Sequence, residues 1–415
     1  MTRSRNPFYA LTLAETLSLS GTRLSMIAIP WLVLTTTGDP MATGTVVFAE
    51  MLPYVMAKAL GGPLIDRLGA RTVAIAGDLG SLLAVGLIPL LFVFNALALW
   101  SLIPVVALMG TLRGPADAAK QSLIPDVARA GDLPLERVTG VMATIERLAG
   151  AIGAAIAGTL VALIGPAPAL VINAITFGAS ALVVGLYIAK RERPSNPAEP
   201  AESPESYLSE FATGWRFLQR DPVLIGIVIM VAATNLLDQG YASVLLPVWA
   251  NESGHGAAIL GLLLGIFSAA AVGGAALATG FAERLPRLTV YTIAFLIAGF
   301  PRFLIFVFDA PLWTIFATAI TAGFASGFLN PILGAVIFER IPENLVGRVS
   351  SLVTALTWAT LPFGGLFAGG LIAGFGLHAA FLFSGFAYLA ATMLPLTMKS
   401  FRAFAIRPAK PEAGT

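Results

Sequence analysis

Residues 191–206 read RERPSNPAEPAESPES. Pro, Glu and Ser dominate the stretch, no apolar face can be drawn along it, and it reads as a surface linker. Working outward from it in both directions, the chain becomes strongly apolar. A membrane-crossing helix needs about 20 mostly apolar residues, because the hydrocarbon core is about 30 Å thick and a helix rises about 1.5 Å per residue. Six such stretches precede the linker, at 10–36, 42–64, 72–94, 97–120, 138–164 and 167–189. Six follow it, at 222–248, 256–281, 289–308, 312–338, 349–374 and 377–397. Ten-residue alternating segments, the signature of a membrane barrel, are absent. The expected fold class is an all-α polytopic membrane protein of twelve transmembrane helices. Its expected organisation is a six-helix bundle over 1–189, a cytoplasmic linker over 190–221, a second six-helix bundle over 222–397 and a cytoplasmic tail over 398–415.

Composition supports this reading. Of 415 residues, 57% are hydrophobic and 12% charged, against about 25% charged in a soluble domain. The mean hydropathy is +0.84. So little charge cannot cover a soluble surface. With a net charge of +2 there is no footprint for nucleic acid. The sequence has no cysteine, which excludes disulfides and thiolate chemistry, and its two histidines, His255 and His378, are far apart. No metal site and no cofactor is expected. Met1–Pro7 is polar and basic with no cleavage site after a short apolar core, so the first apolar segment is expected to stay as a span.

Lys and Arg set the orientation. Five basic residues, Arg23, Lys58, Arg113, Arg147 and Arg302, fall inside predicted spans. With the N-terminus inside, the other twenty of the 25 lie on the cytoplasmic side, Lys120 among them, and none on the opposite side. Both termini are therefore expected in the cytoplasm.

The halves also repeat each other. At an offset of 217, Ile29-Pro30 matches Leu246-Pro247, Asp66-Arg67-Leu68 matches Glu283-Arg284-Leu285, Gly110 matches Gly327, and Ile124-Pro125-Asp126 matches Ile341-Pro342-Glu343. At an offset of 211, Arg137-Val138 matches Arg348-Val349, Gly153 matches Gly364, Gly158 matches Gly369, and Gly165 matches Gly376. Both copies run in the same direction. Parallel repeats of this kind place a substrate cavity near the midplane and work by rocking.

Twelve helices, a parallel six-plus-six repeat and a long central loop resemble the major facilitator superfamily. The segment Gly62–Arg71, GPLIDRLGAR, resembles that family's signature G-x-x-x-D-[RK]-x-G-[RK]-[RK], with Ala70 at one basic position. The resemblance implies a gating role for Gly62, Asp66, Arg67, Gly69 and Arg71, with Asp66 helping to close the cytoplasmic side. Arg67 and Arg71 have the alternative of serving only as positive-inside residues. Gly21-Thr22-Arg23 followed by IPWLVL (29–34), and SLIPD at 122–126, look most like the macrolide-efflux and Tap-type drug:proton antiporter branch.

An ionisable residue at mid-span costs about 2.5–3.5 kcal/mol on insertion scales and faces a cavity or a partner. The first half holds Glu15, Arg23, Glu50, Lys58, Asp78, Arg113, Glu146 and Arg147 within spans, and the second only Asp238 and Arg302. The first half is therefore expected to handle protons. Glu15 and Arg23 share a helix face, as do Glu50 and Lys58, which permits two stacked ion pairs, Arg23–Glu50 and Glu15–Lys58, with Arg113–Glu146 as a third. A carboxylate that loses its partner away from water takes up a proton, so opening such a pair would couple motion to protons. A permanent pair that only locks two helices is the alternative. For substrate contact, Asn235, Asp238 and Gln239 share one face of the seventh span. Asn173, Asn330 and Trp358 are further candidates, and an interhelical hydrogen-bond set is the alternative for the Asn235 cluster.

The expected function is secondary active transport, by proton-coupled efflux of amphipathic organic compounds or drugs. The alternative is proton-coupled transport of one metabolite, such as a siderophore, lysolipid or nutrient. A polytopic enzyme is disfavoured, because no catalytic constellation is present and no G-x-x-x-x-G-K-[ST] loop occurs. The expected partners are a small amphipathic substrate, protons and membrane lipid, and the expected state is a monomer in the bacterial inner membrane.

Overall fold

A computed structural model describes residues 5–189, 204–281, 286–308, 310–342, 345–397, 401 and 404. The first half contains α1 (Asn6–Thr37), α2 (Pro40–Leu60), α3 (Gly62–Leu68), α4 (Ala70–Val93), α5 (Leu99–Ser122), α6 (Ile124–Gly131), α7 (Leu135–Leu148), α8 (Ala154–Ile164) and α9 (Pro166–Tyr187). The second half contains α10 (Pro204–Arg220), α11 (Pro222–Gly240), α12 (Leu246–Glu252), α13 (Gly256–Phe281), α14 (Arg287–Ala298), α15 (Phe300–Leu304), α16 (Leu312–Ser326), α17 (Leu329–Arg340), α18 (Val346–Trp358), α19 (Phe363–Phe375) and α20 (Leu377–Thr397). Five-residue π-helical turns, Ala149–Gly153 and Tyr241–Leu245, join α7 to α8 and α11 to α12. No strand occurs among the described residues.

All twelve predicted spans are helical. Among the described residues, eleven helical stretches are long and apolar enough to cross a membrane. The exception is α2, whose 21 residues are diluted by Glu50, Tyr54 and Lys58. Part of the predicted linker is helical. Residues 190–203 lie outside the described residues, but 204–220 form α10, and its Leu218 is fully buried beside Leu224, Val228 and Val349. The echo Glu283-Arg284-Leu285, Glu343 of the repeat and most of the tail also lie outside the described residues.

Local chemistry sets the boundaries. Gly38 adopts φ +67° and ends α1, and Asp39 then caps α2 by accepting a hydrogen bond from the Met41 N–H at 2.8 Å, with Pro40 at the first helical position. In the second half Asp221 caps α11, accepting from the N–H groups of Val223 (2.9 Å) and Leu224 (3.2 Å), while Arg340 donates to its other oxygen at 2.7 Å.

Contacts divide the chain into two compact units. One comprises Met1–Arg193, Leu236–Ala269 and Leu361–Ala380, the other Pro194–Asn235, Ala270–Thr360 and Phe381–Thr415. Several of the repeat glycines are positions where helix backbones meet. A methyl group on Gly110 would collide with the Glu50 carbonyl of α2, and one on Gly327 with the Ala271 carbonyl of α13. Likewise Gly158 lies against the Ala257 carbonyl and Gly369 against the Pro40 carbonyl, and residues 40 and 257 are themselves 217 apart. Gly165 and Gly376 end α8 and α19 with nearly the same backbone, φ +85° and +81°, a region that favours glycine. Val138 and Val349, another matched pair, are each fully buried in their own apolar cluster. In lipid, helices gain nothing from hiding apolar surface from each other, so close backbone approach over small residues holds them together. Several of the colinear matches in the sequence are these packing positions.

Charge also ties the first unit. Asp78 of α4 and Lys120 of α5 are 0% and 1% exposed, with their charged atoms 2.8 Å apart. Lys120 also donates to Ser18 Oγ of α1 at 2.6 Å, and Ser180 of α9 donates to Asp78 at 2.6 Å. One pair thus joins four helices. This corrects the expectation for Lys120, which is a buried partner rather than a cytoplasmic surface charge.

Two outcomes follow for stability. Gly110→Ala and Gly327→Ala should each destabilise the detergent-solubilised protein by about 1–3 kcal/mol through forced helix separation. Gly273→Ala and Gly370→Ala, where an added methyl meets open space, should have little effect. Thermal unfolding followed by tryptophan fluorescence checks both sets. In the same assay Lys120→Met should cost about 3 kcal/mol by stranding Asp78, and adding Asp78→Asn should recover most of it. No recovery in the double variant would show that the pair is not what binds these helices.

Candidate functional site

Within the first unit, segments of five spans enclose a cavity of about 140 Å³. Met26, Ile27 and Pro30 of α1, Val47 and Met51 of α2, Ala154 of α8 and Leu264 of α13 make most of the wall apolar. Its polar groups are few: Arg23 on α1, Glu50 on α2, Gln239 at the end of α11, Ser243 in the second π-helical turn and Ser268 on α13. Both π-helical turns contribute, through Gly150 in the first and Ala242 and Ser243 in the second. Such turns displace helix side chains by one position and recur at functional sites. The Ser243 hydroxyl is already used, donating to the Gln239 carbonyl at 2.6 Å.

Arg23 and Glu50 thus share a cavity, as expected for a functional pair, but no ion pair joins them. Arg23 donates only to the Met26 sulfur, at 3.7 Å, and its Nε is buried without a partner. The carboxylate whose charge acts on it is that of Glu146, which is exposed and not in salt-bridge contact. Glu50 has no hydrogen-bond or ion-pair partner among the described residues, and the cation acting on it is Arg113. The other two expected pairs also do not form. Arg113 donates to Asp117 at 2.7 Å and lies 4.0 Å from Asp78, rather than meeting Glu146. Lys58 donates to the Tyr54 hydroxyl at 3.3 Å, and Tyr54 donates to Asp117 at 3.2 Å. Glu15 sits in the combined field of Lys120, Asp117, Arg113 and Asp78 without pairing to Lys58.

The reason is rotational. Spacing along a helix places charges on one face but does not say which neighbour that face meets. Gly110 and Gly114 of α5 receive the backbone of α2 at Glu50, Tyr54 and Lys58. That contact turns the Tyr54–Lys58 side of α2 toward Asp117 of α5. Asp117 and Lys120 are the functional-region residues that the sequence reading missed. The available signal for Asp117 was its i,i+4 spacing from Arg113. Lys120 gave none, because it stands where a span was expected to end.

The Gly62–Arg71 segment forms α3 and the start of α4. Gly62, Asp66 and Arg67 are exposed, and Gly69, at φ +86°, makes the sharp passage from one helix to the next. Arg71 reaches the last turn of α9, donating to the carbonyl oxygens of Gly185 at 2.6 Å and of Ile188. A cation there satisfies carbonyls left open at a helix end.

The expected substrate-contact residues separate. Gln239 lines the cavity. Asn235 donates to the Thr357 carbonyl at 2.8 Å and serves helix packing. Asp238 is half-buried and does not line the cavity. Asn173 is fully buried, donates to Ser25 and packs against Gly21. Asn330 is exposed near the start of α17, and Trp358 is half-buried at the end of α18.

Known proteins share both sequence and fold with this chain. The family model of the Major Facilitator Superfamily matches residues 11–287 and 228–413. The multidrug efflux pump Tap of Mycobacterium tuberculosis is 30% identical over 387 residues, covering 91% of this chain and 90% of that protein. The pump of the same name from Mycolicibacterium fortuitum is 27% identical, covering 91% and 92%. Among solved structures, the nucleoside transporter NupG matches with a TM-score of 0.70 at 15% identity, over 96% of this chain and 99% of that one. A bacterial homologue of the human lysosomal transporter Spinster, in an inward-facing and unoccupied conformation, matches with a TM-score of 0.70 at 15% identity, over 98% of each chain. On the family match and the Tap identity, this multi-pass membrane protein belongs to the major facilitator superfamily.

Proposed function

We propose that the protein is a proton-coupled exporter of amphipathic organic compounds, working by alternating access in the bacterial inner membrane. The observation that carries this reading is the composition of the cavity: a mostly apolar wall with a few polar groups and one carboxylate, Glu50, that no cation neutralises by contact. Apolar walls with sparse polar anchors suit amphipathic ligands of varied shape. The 30% identity to a multidrug efflux pump over 91% of the chain supports the same substrate class. At about 140 Å³ the cavity is smaller than the ~300–1,000 Å³ of drug-sized sites. A drug-sized substrate therefore requires its walls to separate, which fits a site that opens and closes within the transport cycle.

In this reading Glu50 carries the proton. A bare carboxylate among apolar groups is costly, and taking up a proton removes the cost. Arg113, Asp117 and Glu15 form the charged surroundings through which that proton is felt by α1 and α5. The two six-helix halves, 1–189 and 222–397, are the moving bodies, both termini are cytoplasmic, and the transporter acts as a monomer.

A drug-susceptibility panel in an efflux-deficient bacterial host, with and without a protonophore, tests the function. Raised tolerance to several unrelated amphipathic compounds, abolished by the protonophore, is expected; protection against a single metabolite analogue would favour a dedicated transporter instead. In proteoliposomes, Glu50→Gln should abolish uphill transport driven by a pH gradient and leave downhill exchange in place. Uphill transport at the parental rate would remove Glu50 from the coupling step. Gln239→Ala should alter the substrate profile, whereas Asn235→Ala should lower the thermal midpoint and leave the profile as it was; a comparison of drug panels and melting curves for the two variants checks this.

A further inference from the structure

Arg23 occupies a position that the fold would otherwise fill with glycine. At the repeat offset of 217 its counterpart in the second half is Gly240. Gly240 and Gly364 meet at van der Waals limits: a methyl on Gly240 would come 2.6 Å from the Gly364 carbonyl oxygen. The matched crossing in the first half is Arg23 against Gly153. There a methyl on Gly153 would lie 3.4 Å from Arg23 Cγ and 3.5 Å from its Cβ. Helix α1 and the neighbouring span are held apart by the arginine stem, and the partner helix is wound as a π-helical turn, Ala149–Gly153, at that level. Gly150 of the same turn leaves room for the guanidinium, whose Nη2 is 3.7 Å from where a methyl would be. The first half has exchanged a glycine crossing for a cavity with a cation in it.

Among the described residues, no oxygen acceptor and no ion pair answers that cation. Its Nε has no acceptor, one terminal nitrogen reaches only a thioether, and Glu50 on the same wall makes no contact with it. A half-buried guanidinium within a span, left without an oxygen acceptor, is costly. The geometry points to a ligand for it: we propose that Arg23 is the specificity-determining anchor for an oxyanion, a carboxylate or enolate, on the amphipathic substrate. The planar fork of donors matches such a group in two parallel hydrogen bonds. The remaining polar groups of the wall, Gln239 and Ser268, then orient the rest of the molecule, and the apolar residues contact its body.

This inference rests on the export reading and is separable from it by one matched pair of dyes. Rhodamine B and its ethyl ester share the same cationic ring system, and only the first has a free carboxylate. Equilibrium binding to the purified full-length protein, and export from dye-loaded cells, are measured for both. The parent is expected to bind the free acid about tenfold or more tightly than the ester, the worth of one charge-assisted anchor. In Arg23→Gln the acid-to-ester ratio should collapse toward one, and in Arg23→Lys, which keeps the charge and loses the fork, it should fall by a smaller factor. Export of both dyes by the parent without discrimination overturns the anchor and leaves the export reading standing. Handling of neither dye overturns both. An undiminished ratio in Arg23→Gln also overturns the anchor. The comparison of the two dyes on the parent needs no variant, so equal binding there overturns the anchor even where Arg23→Gln fails to fold, and Arg23→Lys then carries the test of the residue itself.

Discussion

A charge placed in a membrane span has to be answered by another group, because the hydrocarbon offers no water to do it. The first half of this protein contains most of the charges within spans, and the structure sorts them into two kinds. Asp78, Lys120, Arg113 and Asp117 answer one another, with Ser18, Ser180 and Tyr54 taking up the remaining donors and acceptors. They hold α1, α4, α5 and α9 in one register. Arg23 and Glu50 are not answered, and both face the cavity. The satisfied set makes the unsatisfied set possible: helices fixed by a buried network can present two bare charges to a cavity without rearranging to pair them.

Glycine does the complementary work. At Gly110, Gly158, Gly327 and Gly369 two backbones approach closer than any side chain allows, and the same crossing is built in each copy of the repeat. Small-residue contacts replace the hydrophobic driving force that soluble bundles rely on. They also define what an exception means. Where Gly240 meets Gly364 the repeat packs tightly, and where Arg23 meets Gly153 it does not. Glu50 likewise corresponds at the offset of 217 to Phe267, a residue with no charge to place. The duplicated frame is therefore symmetric in its packing and asymmetric in its chemistry. The departures coincide at one cavity.

The fold was legible in the sequence because its signals are one-dimensional. Span length, the Pro- and Glu-rich break after residue 190 and the glycine offsets can each be counted along the chain. The helix Pro204–Arg220 was readable too: Leu208, Phe211, Trp215 and Leu218 recur at helical spacing, a pattern overshadowed by the prolines before it. The site was only half legible. That Arg23 and Glu50 belong together followed from their depth in adjacent spans. That they do not touch, and that Tyr54 and Lys58 turn to Asp117 rather than Glu15, depends on the rotation of α2 about its axis. Rotation is set by Gly110 and Gly114 on another helix, and no periodicity within α2 reports it. Lys120 failed for the converse reason, since a lysine near a span end is ordinarily a topological signal and here is a core residue.

This division of labour bears on how a transporter can be both selective for chemistry and tolerant of shape. An apolar wall discriminates weakly, because one methylene more or less changes binding by about 1–3 kcal/mol and most amphipathic molecules satisfy it to some degree. A charge that is left unpaired in the fold discriminates strongly, because a ligand lacking the complementary group leaves it stranded. Had Arg23 and Glu50 paired with each other, each substrate would have had to break that pair before binding, and the cavity would reward neither charge nor its absence. Kept apart, Glu50 is open to the proton, and Arg23 to the substrate oxygen, that we propose for them. On that proposal, proton occupancy and substrate occupancy act on separate groups of one cavity, so neither has to displace the other's partner to bind.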